Sequence, residues 1–263
     1  NRLIDSLALM AQVGATEKGG VRRIAATDED REGRDLLVTW AKKEGCKISI
    51  DQIGNLFCRL DGQNDRLAPV LIGSHLDSQP TGGKYDGAYG VMAALETIRA
   101  MNQNKVRTLR PIELVSWTNE EGSRFAPAMM GSGVFSGALT LSAALEAQDT
   151  KGLTLGNSLT RIGYDGTAPC GGRPIHAYFE AHIEQGPILE SEHKTIGVVE
   201  GIQGIRWFNC TLKGTEAHAG PTPMSARRDA LVGAADLIGR INKIAMEHAP
   251  DGRATVGEFQ LYP

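Results

Sequence analysis

Three short stretches of the chain gather imidazole and carboxylate groups where apolar runs end. VLIGSHLDSQPTGGKYDG, residues 70–87, leads an apolar strand into His75, Asp77 and Asp86 and uses Gly82, Gly83 and Gly87 in the turns between. TNEEG, residues 118–122, sets Glu120 beside Glu121 after the strand-like PIELVSW, and IHAYFEAHIE, residues 175–184, carries His182 and Glu184. Divalent metals in hydrolases take such ligands, and two metals held roughly 3.5–4 Å apart need a carboxylate that bridges them. Adjacent glutamates allow a division of labour, one on a metal and its neighbour free to move a proton of the attacking water. Singly each stretch is weak, because a strand-end histidine is usually a hydrogen-bonded structural residue and an exposed Glu-Glu pair is usually just solvated. Their recurrence at three strand ends argues for one site.

The elements that must position these groups are legible in the same sequence. Residues 2–13 repeat Leu, Ile and Met at helical intervals and stop at Gly14. Thr27 followed by Asp28, Glu29 and Asp30 offers an N-cap and an acidic first turn for a helix reaching Lys43, with Gly45 beyond its end. Residues 47–53 and 56–60 read as strands around Gly54-Asn55, 70–74 as a strand, 88–101 as a helix and 111–117 as a strand. Such alternation predicts a layered α/β domain with its site at the strand ends. Residues 137–173 read as helical turns and a loop. In 175–184, His176, Tyr178, Glu180, His182 and Glu184 share one face, which is either a solvent-facing strand surface or one wall of a site. Beyond Gly201, a strand over 206–213, the turn-rich GTEAHAGPTPMS, a helix from 226 to about 248 and a strand over 254–262 predict a second, smaller α/β unit beginning near residue 208.

The 263 residues are enough for one large domain or two ordinary ones, and 41% apolar with 22% charged residues is a globular composition. Lys plus Arg number 28 against 31 Asp plus Glu, so there is no basic field to hold nucleic acid or an anionic membrane. Cys46, Cys58, Cys170 and Cys210 lack metal-type spacing and read as buried or half-buried thiols. No apolar run approaches the ~18–20 residues of a membrane span, and no secretory signal opens the chain. A cytoplasmic enzyme or binding protein is the expected class.

GSHLDSQPTGGKYDG, TNEEGSRFAPAMMGS, HIEQGPILE and GTEAHAGPTPMSARRDAL resemble, in family order, the hydantoinase/carbamoylase branch of the dinuclear-metal aminoacylase-like amidohydrolases. That branch contains N-carbamoyl-L-amino-acid hydrolases, β-ureidopropionases and allantoate amidohydrolases. The resemblance implies a layered, zinc-peptidase-like catalytic domain over 1–207 and an inserted smaller α/β lid, also a dimerisation domain, whose first half is 208–263. It implies two divalent ions, with Zn, Mn, Co and Ni all suited to histidine and carboxylate ligands. By the resemblance His75 and His182 bind one ion, Glu121 binds the other and Asp86 bridges them. Glu120 is then the general base that later returns a proton to the leaving nitrogen, and Asp77 orients His75 from behind. Gln185 resembles a substrate-amide contact, and His218 resembles a lid histidine that polarises the substrate carbonyl, often across a dimer. A non-proline cis peptide after Asp86 is a further expectation of the same kind.

Members of that branch add a histidine ligand from near their C-terminus, and an arginine and an asparagine for the substrate carboxylate. The chain stops before any such segment, and it is expected to be roughly the N-terminal two thirds of an enzyme. His176 reads as structural or a minor site contact and His193 as an exposed turn residue. His248 reads as a helix end, where a cation is favoured. The function expected is hydrolysis of the carbamoyl C–N bond in N-carbamoyl amino acids or N-carbamoyl-β-alanine, releasing ammonia and carbon dioxide, with a homodimer at full length. Allantoate hydrolysis is the alternative, less favoured because HLDSQPTGGKYDGAYGV looks more like the carbamoylase pattern. Dipeptide hydrolysis belongs to the wider superfamily, but HIEQGP resembles the amidase branch more closely. A reading of another class is an inactive truncated module that binds at most one metal weakly.

Overall fold

In a computed structural model describing residues 1–262, the chain divides into two units, Asn1–Ile196 and Gly197–Pro263. The sequence pattern puts this change near residue 208. The first unit runs α1 (Arg2–Met10), α2 (Asp28–Lys43), β1 (Lys47–Ile50), β2 (Leu56–Leu60), β3 (Val70–His75), α3 (Ala88–Gln103) and β4 (Ile112–Trp117). It continues through α4 (Met130–Ser136), α5 (Leu141–Glu146), α6 (Leu155–Ile162), β5 (Ala177–Phe179) and α7 (Ile188–Ser191). The strands form one sheet in the order β1-β2-β4-β3-β5. β1, β2 and β4 pair antiparallel, whereas β3 pairs parallel with both β4 and β5. The C-terminal ends of those three parallel strands therefore lie along one edge of the sheet, and each leads into one of the metal-type motifs. This is the mixed α/β fold that the alternation predicts.

Alternation along the strands divides the core. Leu56, Cys58, Ile112 and Leu114 join Leu37, Ala41, Val91, Leu95 and Ile98 of α2 and α3 in the main apolar cluster. Phe57, Leu71, Val115 and Trp117 form a smaller cluster, with Phe135 packed against it. All six β4 residues are buried, as expected for a strand covered on both faces.

Several boundaries follow from identifiable side chains. Thr27 Oγ1 accepts the Asp30 amide at the start of α2, as its cap pattern predicts. α1 ends at Met10, three residues earlier than the apolar repeat suggests. The buried Arg23 guanidinium takes the Met10 and Val13 carbonyls at 3.1 and 3.0 Å, an alternative partner for helix-end acceptors. Arg23 Nε also donates to Leu76 O at 2.9 Å, tying α1 to the loop after β3. β1 stops at Ile50 rather than 53, because the Asp51 carboxylate accepts the Ile53 and Asn55 amides and turns the chain.

The second unit contains a 3-10 turn (Met224–Ala226) and α8 (Ala230–Glu247), whose first amides are capped by Asp229. The helix thus begins four residues after the expected start. Residues 206–213 and 254–262 form no ladder among the described residues, contrary to the strand reading. A strand exists only through pairing with another, and alternation alone does not supply the partner. Cys46 and Cys58 are buried and Cys170 is half-buried as expected, but Cys210 lies in this ladderless stretch and is exposed.

Candidate metal centre

His75 is the last residue of β3, and its ring is almost wholly buried. Its Nδ1 lies 2.9 Å from the backbone carbonyl of Asp77, which leaves Nε2 as the nitrogen available to the candidate ligand cluster. The Asp77 carboxylate is farther from that ring nitrogen, at 3.8 Å, and does something else. It accepts the backbone amides of Glu120 and Glu121 at 3.2 and 3.1 Å. Asp77 thus orients His75 through its main chain and the Glu120-Glu121 turn through its side chain.

Asp86 ends the glycine-rich loop. Its Oδ1 lies 3.9 Å from His75 Nε2 and 3.2 Å from His182 Nε2. The three candidate ligand atoms all fall within 4.8 Å of one another. Ligands of a tetrahedral ion bound at about 2.0–2.1 Å sit roughly 3.3 Å apart, so one histidine–carboxylate–histidine set of this span suits a divalent cation. Gly87 makes the approach possible. Its φ is +61°, and a Cβ there would run into the His75 ring. Gly87→Ala is therefore expected to displace His75 and weaken Zn affinity at least tenfold, measured by competition with a chromophoric chelator. The expected non-proline cis bond after Asp86 is not formed. The cis bonds among the described residues precede Pro127 and Pro250, and the Ala88 amide instead closes a tight turn onto Asp86 O at 2.5 Å.

Glu120 and Glu121 differ in what they face. Glu120 Oε2 is 3.5 Å from His75 Nε2, and its backbone is pinned by Asp77 on one side and by the Met129 amide on the other. Burial raises the pKa of its carboxyl group, a tendency the charge of His75 opposes. Burial likewise raises Asp77. For His75, burial disfavours the imidazolium, but the Asp77 and Glu120 carboxylates outweigh it and the net direction is upward. Glu121 is not part of the three-residue cluster. Its Oε2 accepts from Gln79 Nε2 at 2.8 Å, while its Oε1 is buried without a hydrogen-bond partner among the described residues. Such an orphaned acceptor suits a second cation.

The third stretch behaves differently from the alternating strand expected over 175–184, because only Ala177–Phe179 pairs with β3. His182 nevertheless reaches the site, its ring 6.0 Å from that of His75 between centroids. Glu184 is not in the three-residue cluster; its carboxylate accepts the Ile188 and Leu189 amides at the start of α7. Gln185, at φ +57°, donates to Asp86 Oδ2 at 2.5 Å. His176 donates its backbone amide to Pro69 O, and His193 is exposed at the end of α7. His218 and His248 belong to the second unit, where His218 Nδ1 accepts the Gly220 amide at 3.0 Å and His248 follows α8. The motif reading passes over Gln79, Ser74 and Glu180 as participants. Only the polar alternation of 175–184 signals Glu180 in the sequence.

Comparison with known proteins extends these observations. The chain is 47% identical to the N-carbamoyl-L-amino-acid amidohydrolase of Rhizobium meliloti, covering 100% of this chain and 63% of that protein. It is 34% identical to the allantoate amidohydrolase of Bacillus subtilis, covering 100% of this chain and 64% of that protein. A crystal structure of a hydantoinase/carbamoylase family amidase from Burkholderia vietnamiensis superposes with a TM-score of 0.88 at 53% identity, over 100% of this chain and 63% of that one. The chain thus spans a little under two thirds of the length of these relatives. The sequence pattern of peptidase family M20/M25/M40 matches residues 71–260, from β3 and its metal-type loop through the second unit. With well over half of the chain inside that match, the protein belongs to peptidase family M20/M25/M40.

Proposed function

We propose that this chain is the metal-binding part of an amidohydrolase that cleaves the carbamoyl C–N bond of N-carbamoyl amino acids, with release of ammonia and carbon dioxide. The observation that carries this reading is the convergence of His75, Asp86 and His182, with Glu120 alongside, in a chain 47% identical over its full length to an N-carbamoyl-L-amino-acid amidohydrolase. The lower identity to an allantoate amidohydrolase, 34%, makes allantoate the second substrate to test.

In this reading His75, Asp86 and His182 would hold one divalent ion, and Glu121, sharing Asp86, would hold a second. Bound divalent cations supply Lewis-acid polarisation and make water a better nucleophile at neutral pH. Gln185 already donates to Asp86 Oδ2, so its amide lies beside the candidate ligands, where it would be available to a substrate amide. Glu120 takes the proton of the attacking water and returns one to the departing nitrogen, so that ammonia leaves rather than its anion. A urea-type carbonyl is a weak electrophile, so its oxygen needs a positive partner as charge develops, and His218 is the chain's own candidate. Residues 1–207 serve as the catalytic part and 208–263 as the first half of a lid that also dimerises. Supporting this, Phe208, Phe259 and Leu261 within 208–263 are 83%, 50% and 57% exposed, an apolar surface fit for cover by a second subunit. A cytoplasmic location completes the reading. No helix among the described residues is long and apolar enough to cross a membrane, and the four cysteines are unpaired thiols.

The test is ammonia release from N-carbamoyl-L-amino acids, N-carbamoyl-β-alanine and allantoate in parallel, using protein loaded with Mn or Zn. Preferential turnover of a carbamoyl amino acid supports the reading, and turnover of allantoate alone replaces it. Silence on all three from folded, metal-loaded protein favours an inactive module.

A further inference from the structure

The ladder between β3 and β5 ends at Ile72↔Phe179, three residues before His182. His182 must nevertheless be held against His75 and Asp86, so something other than sheet pairing has to fix residues 180–182. Glu180 occupies that position. One carboxylate oxygen accepts a short hydrogen bond from Ser74 Oγ, and the other accepts from Tyr178 Oη at 2.6 Å. Tyr178 Oη in turn accepts from Trp117 Nε1 at 2.9 Å. Ser74 directly precedes His75, Trp117 ends β4 three residues before Glu120, and Glu180 lies two residues before His182. One carboxylate thereby links the ends of the three parallel strands. The backbone is pressed together at the same place. A Cβ added to Gly90 of α3 would lie 2.6 Å from Ala181 O and 2.7 Å from Ser74 Cβ.

We propose that Glu180 is a positioning residue for the metal centre, clamping the segment that carries His182 onto β3 through Ser74 and onto β4 through Tyr178 and Trp117. It is not among the three candidate ligands, and acts by setting the distance between His75 and His182. The inference rests on the reading that His75, Asp86 and His182 bind a divalent ion.

The clamp is tested with the full chain by measuring Zn affinity against a chromophoric chelator, alongside thermal unfolding without metal. Glu180→Ala is expected to weaken Zn binding tenfold or more, in the range known for groups that orient metal ligands. Glu180→Gln is expected to recover most of the loss, because an amide oxygen still accepts from Ser74 while its NH2 donates to Tyr178 Oη. Ser74→Ala added to Glu180→Ala should cost little more than Glu180→Ala alone, since both break one link. Zn affinity of Glu180→Ala within twofold of the parent, with His182→Ala strongly weakened, overturns the clamp and leaves the metal reading intact. A Glu180→Gln variant as weak as Glu180→Ala also overturns it, since charge rather than anchoring would then matter. If His182→Ala binds Zn like the parent, the metal reading fails and the clamp with it. Should Glu180→Ala not fold, Tyr178→Phe and Ser74→Ala carry the test, and unchanged Zn affinity in both overturns the proposal.

Discussion

Glu120→Gln is expected to reduce turnover of a carbamoyl amino acid by about 10²–10⁴, the range for loss of a positioned general acid–base. The substitution keeps the shape of the side chain and removes its ability to accept a proton. Little else should change, because the backbone at this position is held by the Asp77 carboxylate and by the Met129 amide rather than by the Glu120 side chain. Glu120 is also outside the three-residue ligand cluster, so metal content after dialysis should equal that of the parent. The measurement is kcat for ammonia release from metal-loaded protein, with metal content determined on the same sample. A fall in kcat with KM and metal content preserved is the expected pattern. Full activity in the variant would remove Glu120 from the mechanism, and parallel loss of metal would make it a ligand instead.

Arg34→Met is expected to destabilise the first unit by about 3–5 kcal/mol, the cost of stranding one member of a buried ion pair. Arg34 Nε donates to Asp30 Oδ1 at 2.9 Å with both side chains shielded from water, 1% and 0% exposed. The same guanidinium donates to Gly54 O at 2.7 Å and to Thr118 Oγ1 at 3.3 Å. It therefore joins α2 to the turn after β1 and to the start of the TNEEG motif. Asp30 would retain the Ala26 amide at 2.8 Å but lose its counter-charge. Urea unfolding followed by far-UV circular dichroism reads the loss as a lower midpoint at unchanged slope. Adding Asp30→Asn should restore part of it by removing the uncompensated charge. Equal midpoints for parent and Arg34→Met would show that the pair contributes nothing net.

Local signals account for much of the first unit. The Thr27 cap and acidic first turn mark the start of α2, and Lys42, Lys43 and Gly45 mark its end, because capping and backbone dipole act within a turn or two of the residues concerned. Short apolar runs, β-branched in β3 and β4, and the turn residues that follow place β2, β3 and β4, and with them His75 and the Glu120-Glu121 turn. Where the sequence reading overshoots, a competing hydrogen-bond partner has intervened. Arg23 takes the last carbonyls of α1, and Glu184 leaves the list of candidate ligands to cap α7. In 206–213 and 254–262 the residue pattern suits a strand, but no partner strand is present among the described residues.

The sequence by itself determined the family resemblance, the α/β class and the positions of His75, Asp86, Glu120 and His182 in their motifs, since these depend on residue type and near-neighbour spacing. Only the tertiary structure decided that Asp86 and His182 meet at 3.2 Å, that the Asp77 side chain holds the Glu120-Glu121 amides, and that Glu180 bonds to Ser74 beside His75. Those contacts join groups about 40 to 110 residues apart, and their geometry is set by the parallel register of β3 with β4 and β5. Side-chain periodicity tells which face a residue occupies; which residue stands opposite it depends on how strands pair across the sheet.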